Sequence, residues 1–361
     1  MKRLGLVLLM VMIALAGLTF RPANAADPVK VTLQLQWVDQ AQFAGYYAAI
    51  EQGYYTDMGL DVTILPGGPD INAVQVVAGG QAQIGNSWLP RVLVAREEGA
   101  KLVNIAQVFT RSGMLHVSFK DKNITKAADL KNKKVAVWTG GLEAELFAAL
   151  VKNGIDPNDA SQVEVVSQPF DMSLLLNGEV DAAAAMTYNE YAQVLETINP
   201  ATGKLYTPEE LNVIDYNVEG TAMLQDGLFV SEEWLAGNEE TATKFLAASF
   251  KGWAYCRDNA TECVKYVLAR GSALGESHQT WQMNEISKLI WPNEAGIGVM
   301  DEAAFTQTAT IAKTYGIIKA DPVDAYRADL AKKALEMLGA DFDAVGKDYK
   351  PITVELKEGG K

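Results

Sequence analysis

The chain has 361 residues, of which 49% are hydrophobic and 21% charged, enough apolar material for a large core in more than one domain and too much for a disordered chain. A formal net charge of -14, with no local basic patch, excludes a nucleic-acid backbone or an anionic membrane surface as partner.

Residues 1–25 stand apart. Lys2 and Arg3 precede the apolar run Leu4 to Leu18, and Ala23-Asn24-Ala25 is a small-x-small cleavage signal. This reads as a secretory signal peptide cleaved near Ala26, which takes the mature balance to about -17. A lipoprotein would need a cysteine soon after the apolar run, and the first is Cys256. The expected location is a bacterial periplasm, without stable membrane insertion, since no later segment is long and apolar enough to span a bilayer.

In chain order, Val29 to Gln36 alternates as a strand. Asp39 and Gln42 have capping-box spacing before a helix from Phe43 that ends by Gly53 or before Gly59. Leu60 to Leu65 is a second strand, Asp70 caps a helix carrying Val74 and Val77, and Ile84-Gly85 opens a third strand. A second set follows: strand Val135 to Trp138, helix Leu142 to Lys152, strand Val163 to Val166 and helix Met172 to Leu176. The segment Val77 to Gly85 echoes Leu175 to Ala182, each a helix stopped at glycine before a buried strand.

Leu115 to Phe119 and Ala222 to Val230 both read as strands that carry the chain between the two sets, and two crossings imply a hinge. The fold class is therefore α/β, with two lobes. Lobe 1 comprises 26–116 and 222–361, and lobe 2 comprises 117–221. Residues 199 to 210 form a surface excursion. Helices are expected over Asn238 to Tyr255 and about 261 to 269, 277 to 290, 302 to 314 and 322 to 338, with an edge strand in Pro351 to Leu356.

Cys256 and Cys263 would lie too far apart on one continuous helix. A break at Asp258-Asn259 could bring them together, and an oxidising compartment favours a small structural disulfide over two inert thiols. His116 and His278 are too few, and wrongly spaced, for most metal sites, so no metal or cofactor is expected and both are assigned surface or supporting roles.

Loops beyond the carboxyl ends of the strands are where an open α/β sheet binds ligands. Trp37, Trp88 and Trp138 all fall there and can offer flat faces to a planar ligand. Asn86, Ser87, Gln107 and Arg111 add polar groups on the first lobe. Thr139, Gly140 and Gly141 place free amides at a helix start on the second. In Thr187-Tyr188-Asn189-Glu190, Glu190 either closes a capping box or accepts from ring or exocyclic N–H groups of a heterocycle. There is no GxSxG, no Cys beside a His and no metal-ligand spacing, so binding without chemistry is the economical reading.

The stretch Trp37-Val38-Asp39-Gln40-Ala41-Gln42-Phe43-Ala44-Gly45-Tyr46-Tyr47, with Gly53-Tyr54-Tyr55, Gly59-Leu60-Asp61-Val62 and Gly67-Gly68-Pro69, resembles solute-binding proteins of ABC importers in the nitrate, sulfonate and taurine superfamily. It is most similar to the branch that binds pyrimidine precursors of thiamine and includes a fungal pyrimidine-precursor synthase. The resemblance implies a type II periplasmic-binding fold, a monomer that closes on a small molecule and delivers it to an ABC permease with a cytoplasmic ATPase. It places Trp37 and Tyr188 around a planar ring and Glu190 on its amino group, with Thr139 to Gly141 on the opposing lobe. Phe43 and Tyr46 of the shared motif join the candidate contacts. The synthase branch uses a cysteine-rich segment and a reactant histidine, which this chain does not match. A small aromatic or sulfonate-type anion is the alternative ligand, and an exported pyrimidine-precursor enzyme the weaker alternative.

Overall fold

A computed structural model describes residues 27–271 and 273–359. The proposed signal peptide lies outside them. Two five-stranded sheets organise the chain. The first runs in the order Leu60–Leu65, Val29–Gln34, Ile84–Ser87, Gly227–Ser231, Leu102–Gln107. The second runs Leu211–Asp215, Met114–Phe119, Ala182–Met186, Lys134–Val137, Glu164–Ser167. The buried strands are short apolar runs such as the five-residue Ala182–Met186, covered on both faces by helices.

The direction of two strands gives the connection between the sheets. Gly227–Ser231 is antiparallel to both its neighbours, and Met114–Phe119 is antiparallel to both of its own. Each is the strand that receives the chain from the other sheet. A chain that leaves one sheet at its carboxyl edge and enters the next at the facing edge must run away from the gap, against the parallel strands. The result is the type II arrangement, with two crossings at residues 108–113 and 216–226.

Several details differ from the sequence-based expectations. Met114–Phe119 lies wholly in the second sheet, pairing from Met114 opposite Met186, so the first crossing precedes Met114. The predicted strand Ala222 to Val230 begins only at Gly227, because the crossing contains the short helix Tyr216–Glu219 and a left-handed Asp226. Asp39 caps nothing and instead accepts from the Tyr47 hydroxyl at 2.6 Å. Asn72, not Asp70, caps helix Ala73–Ala78, receiving the amides of Val74 and Gln75. Residues 351–356 form no strand, and the last long helix starts at Ala328. Residues 199–210 hold a two-stranded hairpin, Ile198–Asn199 with Lys204–Leu205, and a turn closed by a Thr207–Glu210 capping box.

Helix Ala44–Glu51 lies hard against the long helix Glu232–Asp258. A Cβ added at Gly252 would stand 2.0 Å from the Gly45 carbonyl oxygen, and one added at Gly45 would stand 2.2 Å from the Trp253 ring. Glycine at both positions lets the backbones meet. The long helix ends at Asn259, and the next, Ala260–Leu268, turns back so that Cys256 and Cys263 are bonded with Cα atoms 5.5 Å apart. Both histidines are buried, contrary to a surface placement. His116 accepts from the Tyr216 hydroxyl at Nδ1 (2.6 Å) and donates to the Ala136 carbonyl from Nε2 (3.1 Å), and burial pushes its pKa down to about 3.

Side chains fasten the crossings to each other. Gln107 donates to the carbonyls of Phe109 and Gln225, while Gln225 accepts from the Gly113 amide (2.9 Å) and donates to Glu145 (3.2 Å). Glu145 also receives the Ser112 hydroxyl and the Met223 amide. Burial pushes its carboxyl up to about 8 in spite of these donors.

Two predictions follow from these features. Breaking the bridge with Cys256→Ser and Cys263→Ser frees a short loop in the unfolded chain and should lower unfolding free energy by about 2 kcal/mol, measured by urea denaturation; an unchanged midpoint would count against it. Glu145 holds a proton in the folded state that the unfolded chain loses near pH 4.5, so its contribution to stability falls as pH rises from there to about 8. Thermal midpoints should therefore drop between about pH 5 and about pH 8, and Glu145→Gln should flatten that drop. An identical slope in the variant would refute the assignment.

Candidate functional site

A small, tightly lined cavity lies between the carboxyl ends of the two sheets. Gln36, Trp37, Gln40, Gln42 and Trp88 line it from the first sheet, and Trp138, Leu142, Met186, Tyr188, Asn189 and Glu190 from the second. Strand geometry explains the placement: Trp88 and Trp138 each follow directly on the last residue of a buried strand, which delivers the ring to the gap. Trp37 packs edge-on against Trp138, centroids 6.3 Å apart, and against Phe170 at 5.1 Å, so rings from the two sides meet over the cavity. The Trp138 indole donates to the Pro169 carbonyl, which fixes its plane.

Glu190 is 1% exposed. One carboxylate oxygen accepts from the Met186 amide (2.9 Å) and the other from Asn189 Nδ2 (2.6 Å). Glu190 thus reaches back to Met186 rather than forming the predicted capping box, and the Thr187 hydroxyl is buried without a partner. Burial pushes its pKa up to about 7, opposed by those donors and by His278. Behind it, His278 Nε2 donates to Asn189 Oδ1 (2.8 Å) and Nδ1 pairs with Glu196 (2.8 Å). Helix Glu276–Ile290, which carries His278, also accepts the Ala41 amide at Gln279 and donates from Trp281 to the Thr187 carbonyl. It therefore bonds to both sides of the gap.

Trp37, Trp88, Trp138, Tyr188 and Glu190 come together in the cavity. Thr139 and Gly140 lie beside it, in an adjoining recess that shares Gln36, Trp37, Trp138 and Leu142 with the cavity and also contains Arg91. Gly141 donates its amide to Glu143 and packs on the stem of Arg91. The remaining candidates are elsewhere. Phe43, at the end of the 3-10 turn Ala41–Phe43, is in the hydrophobic core, and Tyr46, on helix Ala44–Glu51, packs edge-on against Trp253 of the long helix. Asn86 and Ser87 are buried in strand Ile84–Ser87, Gln107 is committed to the crossings, and Arg111 is exposed on the first crossing.

Sequence reasoning missed the glutamines and Asp226. Asp226 is 1% exposed and accepts from both Gln36 Nε2 and Gln42 Nε2 at 2.9 Å, and burial pushes its pKa up to about 6. The available signal was Asp226-Gly227 at the start of a buried strand, an acid where an apolar run begins. Among the described residues there is no cluster of His, Cys, Asp and Glu that could hold a metal ion, and no helix long and apolar enough to cross a membrane.

The family described as NMT1/THI5 like matches residues 40–263, and the chain belongs to that family. It is 25% identical to the riboflavin-binding protein RibY of Chloroflexus aurantiacus, over 87% of this chain and 89% of that one. It is also 25% identical to a formylaminopyrimidine-binding protein of Halalkalibacterium halodurans, over 72% and 77% respectively. A 4-amino-5-hydroxymethyl-2-methylpyrimidine phosphate synthase of Saccharomyces cerevisiae is 22% identical over 63% of this chain and 66% of its own. Among solved structures, the periplasmic nitrate-binding protein NrtA of Synechocystis superposes with a TM-score of 0.64 at 14% identity, covering 88% of this chain and 91% of that one. This last likeness establishes a shared fold.

Proposed function

We propose that this protein is the periplasmic solute-binding component of an ABC importer, which captures a small planar heterocycle of the pyrimidine-precursor type and presents it unchanged to a permease driven by a cytoplasmic ATPase. The observation that carries the reading is a cavity walled by three tryptophans and Tyr188 with the buried carboxylate of Glu190 at its edge. Flat faces grip a ring, and the carboxylate takes N–H groups from its rim. The two relatives named as binding proteins support capture without turnover.

Lobe 1, built on the first sheet and the C-terminal helices, and lobe 2, built on the second sheet, close about the two crossings. Ligand rests on one wall, and closure adds the other and expels water. A micromolar dissociation constant corresponds to about 8 kcal/mol, which one stacked ring and a few paired polar groups supply without chemistry. The protein works as a monomer after removal of its signal peptide near Ala26.

Trp37→Ala should weaken binding of 4-amino-5-hydroxymethyl-2-methylpyrimidine at least tenfold with little loss of stability, because a half-buried stacking face is removed and not core volume. Isothermal calorimetry beside a melting curve reads both. Glu190→Gln replaces an acceptor-only group with one that also donates, and should cost a similar factor. The test of the whole reading is native mass spectrometry of protein purified without refolding, then calorimetry against this pyrimidine, riboflavin, an aromatic acid and an alkanesulfonate. Micromolar or tighter binding of the pyrimidine, recovered unaltered, is expected. Binding of the anions alone, or repeated conversion of the pyrimidine, would overturn it.

A further inference from the structure

Trp37 is tied to one side of the gap by its backbone and to the other by its ring. Its carbonyl accepts the Gly67 amide at 2.8 Å, and a Cβ added at Gly67 would stand 2.4 to 2.5 Å from backbone atoms of residues 35–37. Glycine there seats the loop after strand Leu60–Leu65 directly on this stretch. The rings that Trp37 touches lie across the gap, Trp138 at 6.3 Å and Phe170 at 5.1 Å between centroids, both edge-on. Trp138 is a wall of the cavity, whereas Phe170 does not line it and is 45% exposed. The loop that carries Phe170 is nevertheless held on both sides of it. Gln168 donates to the Ala184 carbonyl at 2.7 Å and accepts the Ala184 amide at 2.9 Å, the Pro169 carbonyl accepts the Trp138 indole N–H at 3.1 Å, and Asp171 accepts the Ser173 amide at 2.9 Å. With Pro169 fixing its own φ, an exposed ring is presented to Trp37 from an anchored backbone.

We propose that Phe170 is a positioning residue for Trp37, a latch set by the second lobe from outside the cavity, and that it governs how long a ligand is held. The inference rests on the heterocycle-binding reading above and adds to it a residue outside the cavity lining. The Trp37–Phe170 contact joins the two lobes, so an opening wide enough to release a ligand has to separate these rings. An edge-to-face pair is worth a factor of about 2 to 12 in an equilibrium constant, before the apolar area it covers is added. That factor falls on departure and not on arrival. Ligand enters while the lobes are apart and the rings are out of contact, so entry gains nothing from Phe170, whereas the closed complex must give the contact up. Because the ring is exposed, its removal leaves no hole in a core, and the fold should tolerate the loss.

The probe is 4-amino-5-hydroxymethyl-2-methylpyrimidine, with association and dissociation followed by stopped-flow tryptophan fluorescence on the intact protein. Phe170→Ala should raise the dissociation rate constant at least threefold without lowering the association rate constant, and should leave the melting temperature within about 2 °C of wild type. Phe170→Tyr keeps the ring and should stay within twofold of wild type in both rates. In a Trp37→Leu background the partner ring is gone, and Phe170→Ala should then change the dissociation rate constant less than twofold, which a residue acting on the ligand directly or on the fold at large would not do. A rise of less than threefold in Phe170→Ala, weaker binding that comes from slower association, or an undiminished effect of Phe170→Ala when Trp37 is replaced would overturn the inference while leaving the heterocycle reading standing. No binding of the pyrimidine by wild-type protein would remove that reading and this inference with it.

Discussion

The structure depends on a polar clasp between two strands of chain that pass through the gap. Residues 108–113 and 216–226 carry the backbone from one sheet to the other, where helix and sheet partners are interrupted and amides must be satisfied by side chains. Gln107, Gln225 and Glu145 meet that need with a connected set of bonds from Phe109 to Met223. Because Glu145 belongs to helix Ala144–Lys152 beside the second sheet, and Gln107 ends a strand of the first, the clasp also fixes how the sheets face each other. The cavity exists where it does because the crossings are held there.

Three buried carboxyls surround this region, and each is pushed upward by loss of water: Glu145 to about 8, Glu190 to about 7 and Asp226 to about 6. Each is nevertheless surrounded by donors that favour its anion. Placing acids in a dry gap costs stability at neutral pH. One acid sits at the clasp, one at the cavity rim and one behind the glutamines, each already bonded to fixed donors.

The sequence made the outline legible because it rests on local rules. Alternation in Val29 to Gln36, the glycine stops at Gly79 and Gly178, and the helix break at Asn259 that joins Cys256 to Cys263 all follow from backbone preferences of nearby residues. The tryptophans were legible for the same reason, Trp88 and Trp138 standing one residue past buried strands and Trp37 three residues past the first. Gln36 and Gln42 were not, since what holds them is Asp226, 190 residues from Gln36 in the chain. Phe43 and Tyr46 erred in the other direction. They were named from the shared motif, whereas Phe43 lies in the hydrophobic core and Tyr46 packs against Trp253 of the long helix.

Helix Glu276–Ile290 alters what kind of joint this is. Two threads alone would let one half swing like a door on two pins. His278, Gln279 and Trp281 fasten one helix to both halves, and the Leu289 carbonyl of the same helix takes the Thr110 amide of the first crossing, so the fastening reaches a pin itself. A swing about the pins would have to carry that helix with one half or break its bonds to the other. The resting gap would then be set by that helix as much as by the pins.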